Sequence, residues 1–252
     1  MSDDGPPTDG AGVKALLQSE DIGHLQTVAQ QYAALADTDE NNQQEALCKL
    51  QIMVWNRVLQ LQKTNNVDNS EMIQSLHVVS KLWLEMGEHE RGLAQLQRAL
   101  ELQADNPTTL QCMADQHLAA KNYTAAIDHH QKAIALFEKD KDTNKGAAAL
   151  GAAHCELAHV YEAQAEFETA KTSLQTAQSV LEGASDSAAK EIQQALGLAL
   201  LQQGELQYKL GDYEDAVSTL TMASAKINDT LGHEDDRAKE CVYLLQMAKD
   251  LA

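Results

Sequence analysis

The sequence predicts an all-α protein, and three observations support this class. The three prolines of the 252-residue chain lie at only two places, Pro6-Pro7 and Pro107, so almost nothing forbids helix after residue 12. Strong helix formers, chiefly Ala, Leu, Gln, Glu and Lys, fill that stretch. The alternation of β-branched and aromatic residues that is typical of strands is absent. With 44% hydrophobic residues, the chain can bury a substantial core.

Short polar breaks divide the helical pattern. They lie at residues 36–40, 65–69, 105–107, 139–146 and 182–187. Four tighter turns begin at Gly87, Lys121, Ala165 and Gly211. Asn, Asp and Ser at such places favour helix starts, and Gly favours the left-handed residue that ends a helix. The chain is therefore predicted to consist of helix pairs joined by tight turns.

Small residues recur at three fixed distances from these turns. They occur five residues after the first residue of each turn, seven residues further on, and seven residues before the turn: Gly92, Ala126, Ala170 and Ala216; Ala99, Ala133, Ala177 and Ala223; Ser80, Ala114, Ala158 and Gly204. Large residues are predicted to fill the gaps between them: Leu76, Val79, Trp83 and Leu96, with Leu157, Tyr161, Phe167 and Leu174. Trp55, in an apolar run, is also predicted to be core. Such spacing lets antiparallel helices approach closely.

This arrangement resembles the tetratricopeptide repeat, whose pattern is W-x2-L-G-x2-Y, then A-x3-F, then P. The matching stretches are Leu76-x2-Val79-Ser80-x2-Trp83…Gly92-x3-Leu96, Leu110-x2-Met113-Ala114…Ala126-x3-His130, His154-x2-Leu157-Ala158-x2-Tyr161…Ala170-x3-Leu174 and Leu200-x2-Gln203-Gly204…Ala216-x3-Leu220. The resemblance covers residues 70–230. The segment 227–237 also resembles the linkers of the longer kinesin-light-chain-type repeats.

The resemblance implies a tetratricopeptide-type α-solenoid, in which antiparallel helix pairs stack into a right-handed superhelix. We expect a disordered acidic tail over residues 1–12 and a single repeat domain over 13–252. Within that domain a degenerate first pair spans 22–63, and repeats span about 70–106, 107–140, 147–182 and 187–230. A helix over 235–251 is predicted to cap the exposed edge of the last pair.

The resemblance also implies a binding groove lined by the first helix of each pair. Its positions map to His77, Lys81 and Leu84; Gln111, Asp115 and Leu118; Cys155, His159 and Glu162; and Leu201, Glu205 and Tyr208. The alternative is that binding uses the convex face or the loops. The family's clamp for a chaperone's C-terminal carboxylate needs fixed cations. Only Lys81 is cationic here, so chaperone tails are not the expected partners.

The charge balance restricts the partners further. The formal net charge is −19, which disfavours nucleic acid and anionic membrane surfaces. We expect a protein or peptide partner with basic or apolar side chains, although an acidic surface would also serve solubility alone. No run approaches the roughly 20 apolar residues of a membrane span, and no signal peptide is recognisable. Four cysteines without a C-x-x-C pair favour a reducing compartment, so a cytoplasmic protein is predicted.

Catalytic and metal-binding patterns are not recognisable. No phosphate-binding Gly-rich loop and no arrangement of nucleophile, base and orienting group is apparent. Cys155 and His159 lie four residues apart, and His129-His130 could add a ligand, but zinc normally takes four. We therefore predict no enzyme, no cofactor and no metal.

The predicted function is that of a non-catalytic adaptor or scaffold in a cytoplasmic or cytoskeletal complex. A second hypothesis is a structural subunit held in a large assembly, for example a microtubule-associated one, or a homo-oligomer. In that case Tyr243, Leu244 and Met247 would face another subunit. A third hypothesis is a motor-cargo adaptor like a kinesin light chain, which the absence of a preceding heptad run disfavours.

Overall fold

The computed structural model describes residues 5–37 and 43–252, and all regular structure in these ranges is helical. Residues 1–4 of the predicted tail and 38–40 of the first predicted break lie outside the described residues. Twelve α-helices are present in the described ranges: α1 Gly10–Leu16, α2 Ile22–Asp37, α3 Gln44–Thr64, α4 Asn69–Glu85, α5 His89–Leu102, α6 Pro107–Ala119, α7 Tyr123–Phe137, α8 Asn144–Ala163, α9 Phe167–Glu182, α10 Lys190–Leu210, α11 Tyr213–Leu231 and α12 Asp236–Leu251.

The chain divides into two compact units, Met1–Lys121 and Asn122–Ala252. The division falls between α6 and α7, inside the predicted 107–140 repeat. Each unit is described below by itself. One continuous repeat domain over residues 13–252 therefore stays a prediction.

Unit 1 contains α1 to α6. Helices α2 and α3 form one pair and α4 and α5 the next, and α6 packs on both α4 and α5. Leu25, Tyr32 and Val54 belong to the core of the first pair, where they are fully buried. The helical part of the unit begins at Gly10, inside the predicted tail. There Asp9 caps α1 and the Tyr32 hydroxyl donates a hydrogen bond to the Pro7 carbonyl.

Unit 2 contains α7 to α12. Its pairs are α8 with α9 and α10 with α11, and α12 packs against α11. Ala238, Cys241 and Ala248 of α12 are buried in the main core cluster of the unit. Helix α12 thus covers the apolar edge of the last pair, as a terminal helix of a repeat array does.

The four tight turns share one backbone conformation. Gly87, Lys121, Ala165 and Gly211 have φ values of 72°, 59°, 61° and 86°, so each is left-handed. After three of them, the next amide donates to the carbonyl five residues earlier, at 2.9 Å: Glu88 to Trp83, Glu166 to Tyr161 and Asp212 to Gln207. These bonds define the Schellman ending of a helix, which satisfies carbonyls that would otherwise lack partners.

All twelve small residues that the turn spacing identifies are buried. Gly204 shows why size matters, because an added β-carbon would lie 2.5 Å from Cγ of Leu220 on the neighbouring helix. The large positions are buried or half-buried with one exception. Phe167, predicted to fill a gap, begins α9 and is 36% exposed, so that prediction is wrong. Trp55 and Trp83 are half-buried, and the Arg91 guanidinium lies 4.9 Å above the Trp83 ring.

Within the described ranges, no helix combines the length and the apolar character needed to cross a lipid bilayer.

Candidate functional site

Clefts lie between neighbouring helices of each unit. In unit 1 the α2–α4 cleft, which α3 also lines, has a volume of about 410 Å³, and the α4–α6 cleft has a volume of about 370 Å³. In unit 2 the α8–α10 cleft has a volume of about 420 Å³. Each is large enough to accept one or two side chains of a partner.

The α4–α6 cleft contains four of the residues predicted for the groove. Its lining residues are His77, Val78, Ser80, Lys81, Leu84, Thr108, Cys112, Asp115 and Gln116. Nε2 of His77 lies 2.8 Å from the Thr109 hydroxyl, and burial lowers the pKa of this histidine. The ring is therefore neutral near pH 7. Lys81 and Asp115 are exposed and place one charge of each sign at the rim.

Gln116 forms the floor of the α4–α6 cleft. Its side chain is buried, and its Nε2 donates to the carbonyl oxygen of Ser80 at 2.7 Å and lies 3.1 Å from the Ser80 hydroxyl. Its Oε1 is 3.3 Å from Nδ1 of His89. One amide thus joins α4, α5 and α6. Because buried hydrogen bonds of this kind fix side-chain positions, the cleft floor is rigid.

The α8–α10 cleft is apolar in its walls and acidic at its rim. Its lining residues are Ala152, Cys155, Glu156, Glu191, Gln194, Ala195, Leu198 and Gln202. Nε2 of Gln202 donates to the carbonyl of Cys155 at 3.0 Å and fixes the spacing of the two helices. Burial raises the pKa of the Cys155 thiol to about 12, so this thiol stays protonated and is a poor nucleophile.

Beyond this cleft, Lys209 links α8 to α10. Its Nζ lies 2.8 Å from Oε1 of Glu205 and 3.3 Å from Oε2 of Glu162. Burial disfavours the ammonium, but the two carboxylates outweigh it and raise the pKa of Lys209. The Glu162 side chain is only 9% exposed, and its Oε1 is buried with no hydrogen-bond partner. Tyr208 packs against Tyr213, with 5.6 Å between ring centroids.

The remaining predicted groove residues are scattered. Gln111 and Leu118 are half-buried on α6 outside the lining of the α4–α6 cleft, and His159 is exposed on α8. Leu201 is 7% exposed and belongs to the core of unit 2, so its side chain is not part of a surface. The predicted groove positions on α10 flank Gly204, in the C-terminal half of the helix. The cleft lies nearer the N-terminus of α10, where Glu191, Gln194 and Leu198 line it.

Several cleft residues were missed in the sequence. On α10 they are Glu191, Gln194, Ala195, Leu198 and Gln202, and their spacing of three or four residues was the available signal. The α2–α4 cleft was missed entirely, since α2 belongs to the degenerate pair. It includes the half-buried Trp55 and the buried Gln62. The amide oxygen and nitrogen of Gln62 are both buried with no hydrogen-bond partner.

The histidines considered as metal ligands lie where α7 packs on α8. His130 is buried, and its Nδ1 is 3.7 Å from Oε2 of Glu156. Burial, with smaller effects of His129 and His159, lowers the pKa of His130 to about 4. Glu156 opposes this, but its side chain is 43% exposed and therefore screened, so the effect of burial prevails. Among the described residues, no group of three or more His, Cys, Asp or Glu is arranged to hold a metal.

Comparison with known proteins bears on the fold. No protein-family model and no curated protein sequence matches the chain. Among solved structures, BtubC (BKLC) from P. vanneervenii is similar at 14% identity and a TM-score of 0.60, over 90% of this chain and 92% of that one. A putative kinesin light chain with nearly identical TPR-like repeats from Podosopora anserina is 13% identical, with a TM-score of 0.58 over 83% and 97% of the two chains.

A third similar structure is a Rap protein complexed with Competence and Sporulation Factor. It is 12% identical, with a TM-score of 0.56 over 94% of this chain and 72% of that one. Identities this low establish the fold alone. The chain has the all-α fold of the tetratricopeptide-like repeat solenoids, and the predicted fold class is confirmed.

Proposed function

We propose that this chain is a non-catalytic scaffold that binds a partner protein or peptide through the exposed faces of its first helices. The observation that supports this most directly is the recurrence of side-chain-sized clefts between first helices in both units. Five residues chosen from the repeat pattern line these clefts: His77, Lys81, Leu84, Asp115 and Cys155.

The partner is proposed to carry basic or apolar side chains. A chain of net charge −19 repels acidic partners and attracts basic ones. The clefts add apolar contact area from Val78 and Leu84 in unit 1 and Leu198 in unit 2. The Rap protein with a bound factor supports the idea that a solenoid of this fold can hold another molecule.

The test is affinity purification of the tagged chain beside a variant with His77→Ala, Asp115→Ala, His159→Ala and Tyr208→Ala. A matched control changes four exposed residues of the second helices: Gln97→Ala, Glu168→Ala, Gln175→Ala and Met222→Ala. We expect a partner that the control retains and the first variant loses, with both variants folded by circular dichroism. A partner retained by the first variant and lost by the control would place binding on the opposite face.

A second candidate function, a subunit of an assembly or a homo-oligomer, is favoured by the outer face of α12. There Val242 is 53% and Tyr243 65% exposed, whereas Leu244 and Met247 are half-buried. Light scattering during size-exclusion chromatography tests this candidate. A dimer that becomes a monomer on Tyr243→Ser would support it, and a wild-type chain that stays monomeric at about 100 μM would oppose it.

A further inference from the structure

Gln62, on α3 of unit 1, has a buried side-chain amide whose hydrogen-bonding groups are unused. The residue is 1% exposed, and within the described ranges neither its Oε1 nor its Nε2 has a hydrogen-bond partner. Burying donors and acceptors without partners costs folding free energy, so buried amides in proteins are nearly always satisfied. A ligand that supplies both partners would recover that cost.

Gln62 lines the α2–α4 cleft, into which such a ligand can enter. Trp55 and Val78 are half-buried and give this cleft apolar walls, whereas Glu71 and Gln74 are exposed at its opening. Because Gln62 is almost completely buried, a side chain can reach its amide but the main chain of a partner remains outside. The terminal torsion of glutamine is soft, so the amide plane can turn towards the entering group.

Gln62 also lines a second cleft, of about 460 Å³, between the end of α3, the start of α4 and α5, hereafter the α3–α5 cleft. This cleft contains the exposed charged residues Lys63, Arg98 and Glu101. An uncharged ligand would partly desolvate these three charges, whereas apolar walls face it in the α2–α4 cleft. The α2–α4 cleft is therefore the better place for an uncharged group that pairs with Gln62.

The chemistry of the Gln62 amide selects the ligand. A second carboxamide can donate to Oε1 and accept from Nε2 at the same time. A carboxylate would accept from Nε2 but repel Oε1, and Glu71 adds negative charge at the opening. A Lys or Arg side chain would leave Nε2 without an acceptor, and an apolar side chain would leave both atoms without partners.

Resting on the scaffold function proposed above, we infer that the α2–α4 cleft binds the side chain of an Asn or Gln in a segment of a partner protein. The carboxamide of that residue pairs with the carboxamide of Gln62, and its methylene groups contact Trp55 and Val78. The flanking residues of the segment stay at the surface beside Glu71, where the basic side chains proposed above would meet a carboxylate.

The experiment uses the full chain and a phage-displayed library of random 12-residue peptides. Enriched peptides are synthesised as selected, and again with each Asn replaced by Leu and each Gln by Met. Gln62→Met removes the amide and keeps its approximate shape, and Gln97→Met, at an exposed position of α5, is the matched control. Gln74→Trp obstructs the opening of the α2–α4 cleft, and Glu101→Trp obstructs that of the α3–α5 cleft.

We expect the enriched peptides to share an Asn or a Gln. Their affinity should fall about tenfold or more with Gln62→Met and with Gln74→Trp, and should stay unchanged with Gln97→Met and Glu101→Trp. Replacing the peptide's amide should weaken binding to the wild-type chain but not to Gln62→Met, because the two amides act as a pair. Loss of binding with Glu101→Trp and not with Gln74→Trp would overturn the inference.

The stability of the chain without peptide separates a binding role from a structural one. Gln62→Met removes a polar group without partners, so the midpoint of urea unfolding should rise. A fall in that midpoint would show that the amide is satisfied within the chain, as by an internal water, and would overturn the inference. Enriched peptides without Asn or Gln, peptides that Gln62→Met binds equally well, or the failure to enrich any peptide would also overturn it. The scaffold function is decided separately, by the affinity purification described above.

Discussion

The side-chain amide of Gln116 occupies the space in which a β-carbon on Gly92 would lie. An added β-carbon would be 2.3 Å from Nε2 of Gln116, well inside contact distance. That nitrogen is also the donor to the carbonyl of Ser80. Gly92 and Ser80 are both small positions of the repeat pattern, and here their smallness makes room for a buried hydrogen-bonding side chain.

Gly92→Ala is therefore expected to destabilise unit 1. Alanine gains about 1 kcal/mol of helix propensity over glycine. Displacing Gln116 from its buried hydrogen bonds costs more, so we expect a net loss of about 1–2 kcal/mol in the free energy of unfolding, measured with urea. Gly23→Ala on α2, where the nearest side-chain atom is 3.5 Å away, is the control and should not lose stability. If Gly92→Ala costs as much in a Gln116→Ala background, this account is wrong.

His130→Leu is expected to stabilise unit 2, most of all in acid. The equivalent positions of the other repeats are the fully or almost fully buried Leu96, Leu174 and Leu220. His130 is equally buried, and its Nδ1 has no hydrogen-bond partner. Leucine removes an unsatisfied polar group, a gain of about 1–2 kcal/mol at pH 7.

The pH dependence follows from the pKa of about 4 that His130 has in the folded state, against 6.5 for an ordinary histidine. Between these pH values the unfolded chain binds more protons at this histidine than the folded chain does. The contribution of the neutral His130 to the free energy of unfolding is therefore complete above pH 6.5 and is lost as the pH falls towards 4. The loss should be on the order of 3 kcal/mol. Thermal unfolding at pH 7 and pH 4.5 measures it. An equal acid-induced drop in wild type and His130→Leu would assign the drop to other groups.

Ala165→Gly is expected to stabilise the turn between α8 and α9. Ala165 has a φ of 61°, a region that costs a non-glycine residue about 1 kcal/mol, whereas Gly87 and Gly211 adopt it freely. We expect a gain of about 0.5–1 kcal/mol, since glycine's extra freedom in the unfolded chain offsets part of the relief. Ala163→Gly, two residues earlier in the helix, should lose about 1 kcal/mol in the same denaturation assay. A loss at both positions would show that residue 165 carries no strain.

Lys209→Met is expected to cost about 2 kcal/mol, because it leaves the carboxylate of Glu162 nearly buried without its cation. A second change, Glu162→Gln, should recover part of that loss. The matched control is Lys132→Met, which removes the exposed partner of Asp128 at 2.6 Å and should change stability by no more than about 0.5 kcal/mol. Equal effects of the two lysine variants in urea titrations would refute a special role for Lys209.

The sequence predicted the fold well because its signals are local. Each repeat's signal lies within one helix pair. It consists of a left-handed turn, a small residue five positions after the turn and another seven positions before it. The buried Ala126, Ala170 and Ala216 confirm that pattern. Phe167 was misplaced because it stands at the first position of α9, where one side of the residue remains open to solvent.

The candidate site was less predictable, because a cleft depends on two helices that are distant in sequence. Leu201 and Gln202 are neighbours on α10, yet one is core and the other lines the cleft. Because successive residues of a helix point about 100° apart, the rotation of α10 about its axis decides which of them faces the gap, and the repeat pattern does not fix that rotation. Gln116 is similar, since its role depends on Ser80 and Gly92 on two other helices.

The left-handed turns have a consequence for how a sequence can encode this fold. Four turns of the same geometry are built on Gly87, Lys121, Ala165 and Gly211, so glycine is a preference and not a requirement. What each unit must preserve is the volume of a side chain at a given offset, and many residues share a volume. Chains that share only 12–14% of their residues with this one can therefore have a similar backbone. For such chains, a common fold is better recognised through a profile of side-chain sizes than through residue identity.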